Sequence, residues 1–219
     1  MVSLIALGHL TDLAEAAGAF EACVAARKFY DPEPLRIWAE RIRVDEPGGK
    51  ALILPAGTVV PDDFELDYDN AEVEAHRIGS IIALGDLTIQ GRLINLNSDG
   101  GPFLLIGGTL KAEEILKAGA AVVVLGHIET SGTIFCDYCH GTMQICGDVT
   151  APLVILNDHE LAVSGTVHGR VLSSETCELR DVLVPEVFFD PDDDDDEWPE
   201  GGLIAERLLA GLPVLRDGA

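Results

Sequence analysis

The sequence predicts a mainly β protein built as a parallel β-helix, a solenoid of about six rungs. Three observations carry this reading. The first is a frame, apolar-any-apolar-any-Gly-polar-apolar, that occurs five times between Ile81 and Val167. Its copies are IIALGDL (81–87), LLIGGTL (104–110), VVVLGHI (122–128), MQICGDV (143–149) and LAVSGTV (161–167). The second is spacing: the anchors Gly85, Gly108, Gly126, Gly147 and Gly165 lie 23, 18, 21 and 18 residues apart, which is the range of solenoids. The third is alternation with period 2 on both sides of the anchor, the period of a strand and not of a helix. One row of side chains then points inward at every second residue. The glycine suits a corner that a Cβ would obstruct. A β-sandwich of short strands accounts for the alternation. It does not require the same residue class at the same offset in five successive units.

Taken in order, residues 3–8 (SLIALG) read as a first strand. Thr11 and Asp12 start a helix predicted over 11–29, with Asp12 and Glu15 near the positive end of its dipole. Leu13, Ala17, Phe20 and Val24 recur at helical spacing, and Arg27 and Lys28 fall in the last turn. DPEP (31–34) stops it. A second helical turn is expected around Leu35–Arg41, with Trp38 packed as core. ALILPAGTVVP (51–61) repeats the frame around Gly57 and is the expected first rung. The 28 residues from Gly57 to Gly85 imply an insertion in this unit. It is acidic, with Asp62, Asp63, Glu65, Asp67, Asp69, Glu72 and Glu74 around alternating Phe64, Leu66 and Tyr68. That pattern fits an edge strand with one charged face, or a loop that meets a partner.

Beyond Gly165, CELRDVLVPEV (177–187) predicts one more turn. FFDPDDDDDEWPEGG (188–202) holds Asp190, Asp192, Asp193, Asp194, Asp195, Asp196 and Glu197, a block that repels itself and stays extended. A short helix is predicted from Leu203 to Leu209, closed near Gly211 and Pro213. The chain thus divides into an N-terminal helical capping region (1–48), the β-helix (49–187), and an acidic segment with a C-terminal helix (188–219). Bare solenoid ends join other chains, and the two helices are expected to cap them.

The charge narrows the partners. In 219 residues there are 38 acidic against 14 basic side chains, a formal −24. Nucleic acid and anionic membrane surfaces are attracted by Lys and Arg, so both are poor partners. A basic protein is the natural complement, and its arrival would be speeded by such a field. Simple solubility accounts for the same charge. The N-terminal apolar run has no basic residues before it and stops at His9, so no signal peptide is expected, nor any membrane span. The five cysteines are expected to be reduced thiols in a cytoplasmic chain.

The segment Cys136-Asp-Tyr-Cys139-His140, followed by Cys146, draws three chemical readings. C-x-x-C-H matches covalent haem attachment, which needs export. Cys136, Cys139, His140 and Cys146 supply four ligands of the type zinc takes, although Cys146 is an in-frame strand residue. A redox C-x-x-C lacks the surrounding βαβ pattern. Cysteines as small apolar fillers complete the set, and on that reading no metal or cofactor is expected. Asp86, Thr109, His127, Asp148 and Thr166 follow the anchors and would stack along one edge. Acid–base work is conceivable for a carboxylate–His pair, but a solvated corner needs a polar residue in every rung. His159 and His168 read as surface residues. Without a phosphate loop, HExxH or nucleophile elbow, no catalytic residue and no enzyme is expected.

GDLTIQG (85–91), GHIETSG (126–132) and GDVTAP (147–152) resemble the bactofilins and related polymer-forming bacterial proteins, over roughly residues 78 to 175. The resemblance implies a right-handed parallel β-helix in the cytosol, without a nucleotide or catalytic site, that polymerises end to end. The flanking helices and the uneven gaps depart from that family. A looser resemblance, in charge and capped scaffold, is to acidic immunity proteins of bacterial toxin systems. It implies binding and inhibition of a basic antibacterial toxin, a nuclease first, by covering its active site. The contacts would come from Asp62, Asp63, Glu65, Asp67, Asp69 and the block from Asp190 and Asp192 to Glu197. The immunity reading is the leading expectation and the polymer-forming scaffold is the alternative.

Overall fold

A computed structural model describes residues 3–25, 49–138, 141–174, 179–189 and 198–218. The repeated frame folds as a parallel β-solenoid with three flat faces. Face one stacks β2 (Lys50–Leu54), β5 (Ile78–Ala83), β8 (Phe103–Ile106), β11 (Ala121–Val124), β14 (Thr142–Ile145) and β16 (Leu161–Val163). Face two stacks β3 (Thr58–Val60), β6 (Leu87–Ile89), β9 (Leu110–Ala112), β12 (Ile128–Thr130) and the first parts of β15 (Val149–Asn157) and β17 (Val167–Ser173). Face three stacks β4 (Phe64–Glu65), β7 (Leu93–Asn95), β10 (Ile115–Lys117), β13 (Thr133–Asp137) and the remainders of β15 and β17. Four inner coils, beginning with β5, β8, β11 and β14, each have a neighbour on both sides. The coils that begin with β2 and β16 close the stack.

The offsets of the frame are columns in space. Four places before the anchor, Ile81, Leu104, Val122, Met143 and Leu161 pair in register. Two places after it, Leu87, Leu110, Ile128, Val149 and Val167 do the same. These columns form the interior with Ala83, Ile106, Val124 and Ile145. Aliphatic side chains in adjacent coils pack on one another in these columns, and packing of that kind fixes the register.

The helices do not sit where the ends are. Helix α1 (Leu13–Val24) lies along the outside of face one, packing Leu13, Ala16, Ala17 and Phe20 on Ala51, Ile53, Ile82, Leu105 and Val123. The Phe20 and Phe103 rings meet at 5.8 Å. The N-terminal end is closed differently. Leu4, in a 3-10 turn (Leu4–Ala6), and Leu7 pack onto the interior beside Val73 of helix α2 (Ala71–His76). The Glu72 carboxylate accepts hydrogen bonds from the amides of Leu4 and Ile5. Strand β1 (His9–Asp12) then pairs antiparallel with β2. The strand expected over 3–8 is thus a turn, and the strand comes after it. Leu4 and Leu7 are three apart, a turn's spacing, and both face the plug. At Gly8 a Cβ would stand 2.1 Å from the Ile53 carbonyl oxygen.

At the far side, helix α3 (Leu179–Val182), a 3-10 turn (Pro185–Val187) and helix α4 (Gly201–Leu209) cover face three. Leu179, Leu183, Val187, Ile204 and Leu208 pack on Leu116, Phe135, Leu153, Ile155 and Leu172. Residues 179–187 are therefore not a further turn of the solenoid, and α4 shields a side instead of an end. Outward positions of faces one and three are apolar, and the helices laid along them remove that surface from water. Predicted features within 26–48, Trp38 among them, and the block 190–197 lie outside the described residues.

Candidate interaction surface

Three of the corner residues that follow the anchors, Asp86, His127 and Asp148, have a task. Asp86 Oδ1 accepts from the Thr109 amide at 2.7 Å, one coil on, and Asp148 Oδ1 accepts from the Thr166 amide at 2.9 Å. His127 Nδ1 accepts from the Asp148 amide at 2.9 Å. These side chains staple successive coils. His127 Nδ1 is thereby committed to the backbone. The anchors are glycine for room. At Gly108 a Cβ would lie 2.2 Å from Asp86 Oδ1, and at Gly165 2.4 Å from Asp148 Oδ1. Of the frame glycines, only Gly57, in the first rung, has a positive φ (77°).

Several acids of the insertion do the same work at other corners. Asp63 Oδ1 accepts from the Arg92 amide at 2.8 Å. Asp67 accepts from the amides of Leu96 and Asn97 and from the Asn95 side chain. Glu65 accepts from Asn70 Nδ2, and Asn70 in turn caps α2. Asp62 bonds the Asp63 amide at 3.0 Å and is exposed, as is Asp69. Phe64 and Leu66 are fully buried while Tyr68 is exposed, and among the described residues β4 pairs only with β7, so this stretch is the edge strand of face three.

The cysteine segment is divided by the wall of the solenoid. Cys136 points into the interior with its Sγ 3.9 Å from Met143 Sδ, and burial pushes its thiol up to about 12. Cys146 packs outward toward the α1 cluster. Cys139 and His140 lie outside the described residues. Among the described residues no three metal-ligating side chains come together.

Beside Cys136 is a polar group that the frame did not reveal. Lys117 extends the inward alternation of Ile115 and is almost wholly buried. Its Nζ donates to the Ala118 carbonyl at 2.7 Å and lies 2.7 Å from His159 Nε2. Burial lowers the Lys117 ammonium to about 8, and burial together with that lysine lowers His159 to about 3. His159 is thus an interior residue, not a surface one; His168 is exposed. One coil earlier in the same column, Asn95 donates to the carbonyls of Leu66 and Gly100 and accepts from the amides of Ala118 and Ala120.

Face two is the one side that no described helix covers. Its outward column runs Val59, Thr88, Lys111, Glu129, Thr150 and His168 in register. Lys111 and Glu129 pair at 2.7 Å. The corner carboxylates of Asp86 and Asp148 border it on one side, and Asp62 and Glu113 stand exposed or half-exposed on the other. Glu114 there is engaged by Arg92 at 3.1 Å. The result is a flat, largely polar strip with carboxylates on both of its borders, and Val59 at its N-terminal end is the apolar exception. No protein-family model, curated protein or solved structure matches the chain. Among the described residues no helix is long and apolar enough to cross a membrane.

Proposed function

We propose that this chain is a non-enzymatic binding protein that docks a basic protein on face two. The observation that carries the reading is the contrast between the faces: faces one and three are covered by the chain's own helices, and face two is bare, flat and edged by carboxylates in a chain of formal charge −24. Rigid flat strands offer a surface that loses little entropy on binding, and the field draws a cationic partner to it. Within that class the reading is an acidic cytoplasmic immunity protein that blocks a basic antibacterial toxin, a nuclease first, by covering the cationic surface it uses to hold DNA. A panel of purified basic nuclease toxins tests this by loss of DNA cleavage at equimolar chain. Inhibition is expected for at least one, and it is expected to disappear when Thr88 and Thr150 are both changed to Arg. Full cleavage by every member overturns the toxin reading, and unchanged inhibition by the double variant moves the surface off face two.

The alternative is a bactofilin-like scaffold. The solenoid supports it, but the plug of Leu4, Leu7 and Val73 at one end works against an open filament.

A further inference from the structure

We propose, on the reading of face two as the docking surface, that the basic partner fills it with an α-helix laid along the solenoid axis. This helix is small and uncharged on the side that meets the strands and carries Lys and Arg on both flanks. The chain itself shows how such a face is occupied. Helix α1, of 12 residues, packs across Ile53, Ile82, Leu105 and Val123 of four successive coils. Helix α4 and the turns before it cover Leu116, Phe135, Ile155 and Leu172, again of four successive coils. Face two is built from the same coils with no described helix on it. Val59, Lys111, Glu129, Thr150 and His168 are exposed there and Thr88 is half-exposed.

Dimensions and charge select the occupant. Strands β3, β6, β9 and β12 are three residues long, which gives the face a width of about 10 Å, close to the diameter of a helix. Coils repeat at about 4.8 Å and helical turns at about 5.4 Å, so one turn meets one coil. The centre of the strip is neutral, since Lys111 and Glu129 pair at 2.7 Å, and Thr88 and Thr150 on either side of the pair are short. A charged side chain pointing straight down would compete with that pair, whereas small ones let the helix come close. The borders differ. Asp86 and Asp148 lie on one of them, three coils apart, which is about 14 Å and is spanned by two to three helical turns. Glu113 stands exposed on the other. Lys and Arg on both flanks of a helix reach such borders while their stems cover the strip. A single extended strand laid along the strip sends its side chains up and down in alternation and leaves the borders unmatched.

The test uses the full chain and two synthetic helices of identical composition, held helical by side-chain cross-links. One has Ala and Ser along the facing stripe and Lys and Arg along both flanks. In the other the same residues are scattered evenly around the helix, so plain attraction by the −24 chain is the same for both. Affinity is read by fluorescence anisotropy at physiological ionic strength, and the contact by amide shifts of the chain in NMR. The flanked helix is expected to bind at least about tenfold tighter than the scattered one, with shifts concentrated at 59, 88, 111, 129, 150 and 168. Thr88→Arg together with Thr150→Arg is expected to remove that preference while keeping the circular dichroism of the unsubstituted chain. Equal affinity for the two helices overturns the proposal, as does no binding of either at millimolar concentration, and as do shifts away from these strands. The binding reading fails separately. A nuclease whose inhibition is lost in the double variant, but whose protected amides lie in a loop or strand, keeps face two as the docking surface and overturns the helix alone. No inhibited nuclease together with a tighter flanked helix overturns the toxin reading and upholds the helix.

Discussion

Lys117 has a solvation problem that its neighbours solve only in part. Among the described residues this buried ammonium is held by a carbonyl and an imidazole, with no carboxylate bonded to it, so its charged form is disfavoured. Its folded value, about 8, lies below the ordinary 10.5. The unfolded chain therefore binds more protons between pH 8 and 10.5, and stability rises with pH in that window. The contribution is about 3 kcal/mol across it. For His159, folded about 3 against 6.5 unfolded, stability falls as pH drops from 6.5 toward 3. Urea denaturation of the parent and of Lys117→Met across pH checks the first window. The variant should lose the alkaline gain while the rest of the pH profile is unchanged. His159→Gln should lose part of the acid decline in the same assay. A second expectation concerns the corner staples. Asp148→Ala leaves the Thr166 amide without its acceptor and should cost about 1 kcal/mol. Asp148→Asn keeps an acceptor oxygen and should cost less, by the same denaturation midpoint.

At the level of elements, the glycines and the covered faces decide what the sequence discloses. The frame made the interior columns beside the anchors legible because those inward positions are aliphatic or Met in every coil. The same frame explains the anchors sterically. At Gly126 a Cβ would lie 2.5 Å from the Gly108 carbonyl oxygen, whereas at Gly202 in α4 nothing stands within 4 Å. Gly126→Ala should therefore lower the melting temperature sharply, by about 2 kcal/mol or more in stability. Gly202→Ala should raise stability by about 0.5 kcal/mol. The outward residues were open positions in the frame, and their meaning is visible only with the structure. Ile53, Ile82, Leu105 and Val123 make face one apolar on both sides, the pattern of a strand buried on two faces. That signal placed α1 on a side, and end-capping was the wrong geometry for it. Lys117 stayed hidden because it lies on face three, away from any anchor, where a lone lysine in a three-residue strand reads as solvated. The insertion acids were visible as charge. That Asp63 and Asp67 bind backbone amides of the next coil depends on contacts 29 or 30 residues away along the chain, which no local pattern discloses.

At the scale of the whole molecule, charge and architecture work on different steps of association. The field of a −24 chain acts over about a Debye length and guides encounter. The flat face decides whether the encounter lasts. Reversing Asp62 and Glu113 to Lys changes the rim without touching the outward column of face two. With a bound basic partner in hand, stopped-flow association across ionic strength separates the two. The double reversal should lower the on-rate several-fold at low salt and flatten its salt dependence, with little change in the off-rate. Thr88→Arg together with Thr150→Arg should do the reverse, raising the off-rate by steric and charge conflict within the contact while the on-rate shifts less. If both pairs of substitutions slow association and neither speeds dissociation, face two is a guiding surface and not the docking one, and the contact belongs to another part of the solenoid.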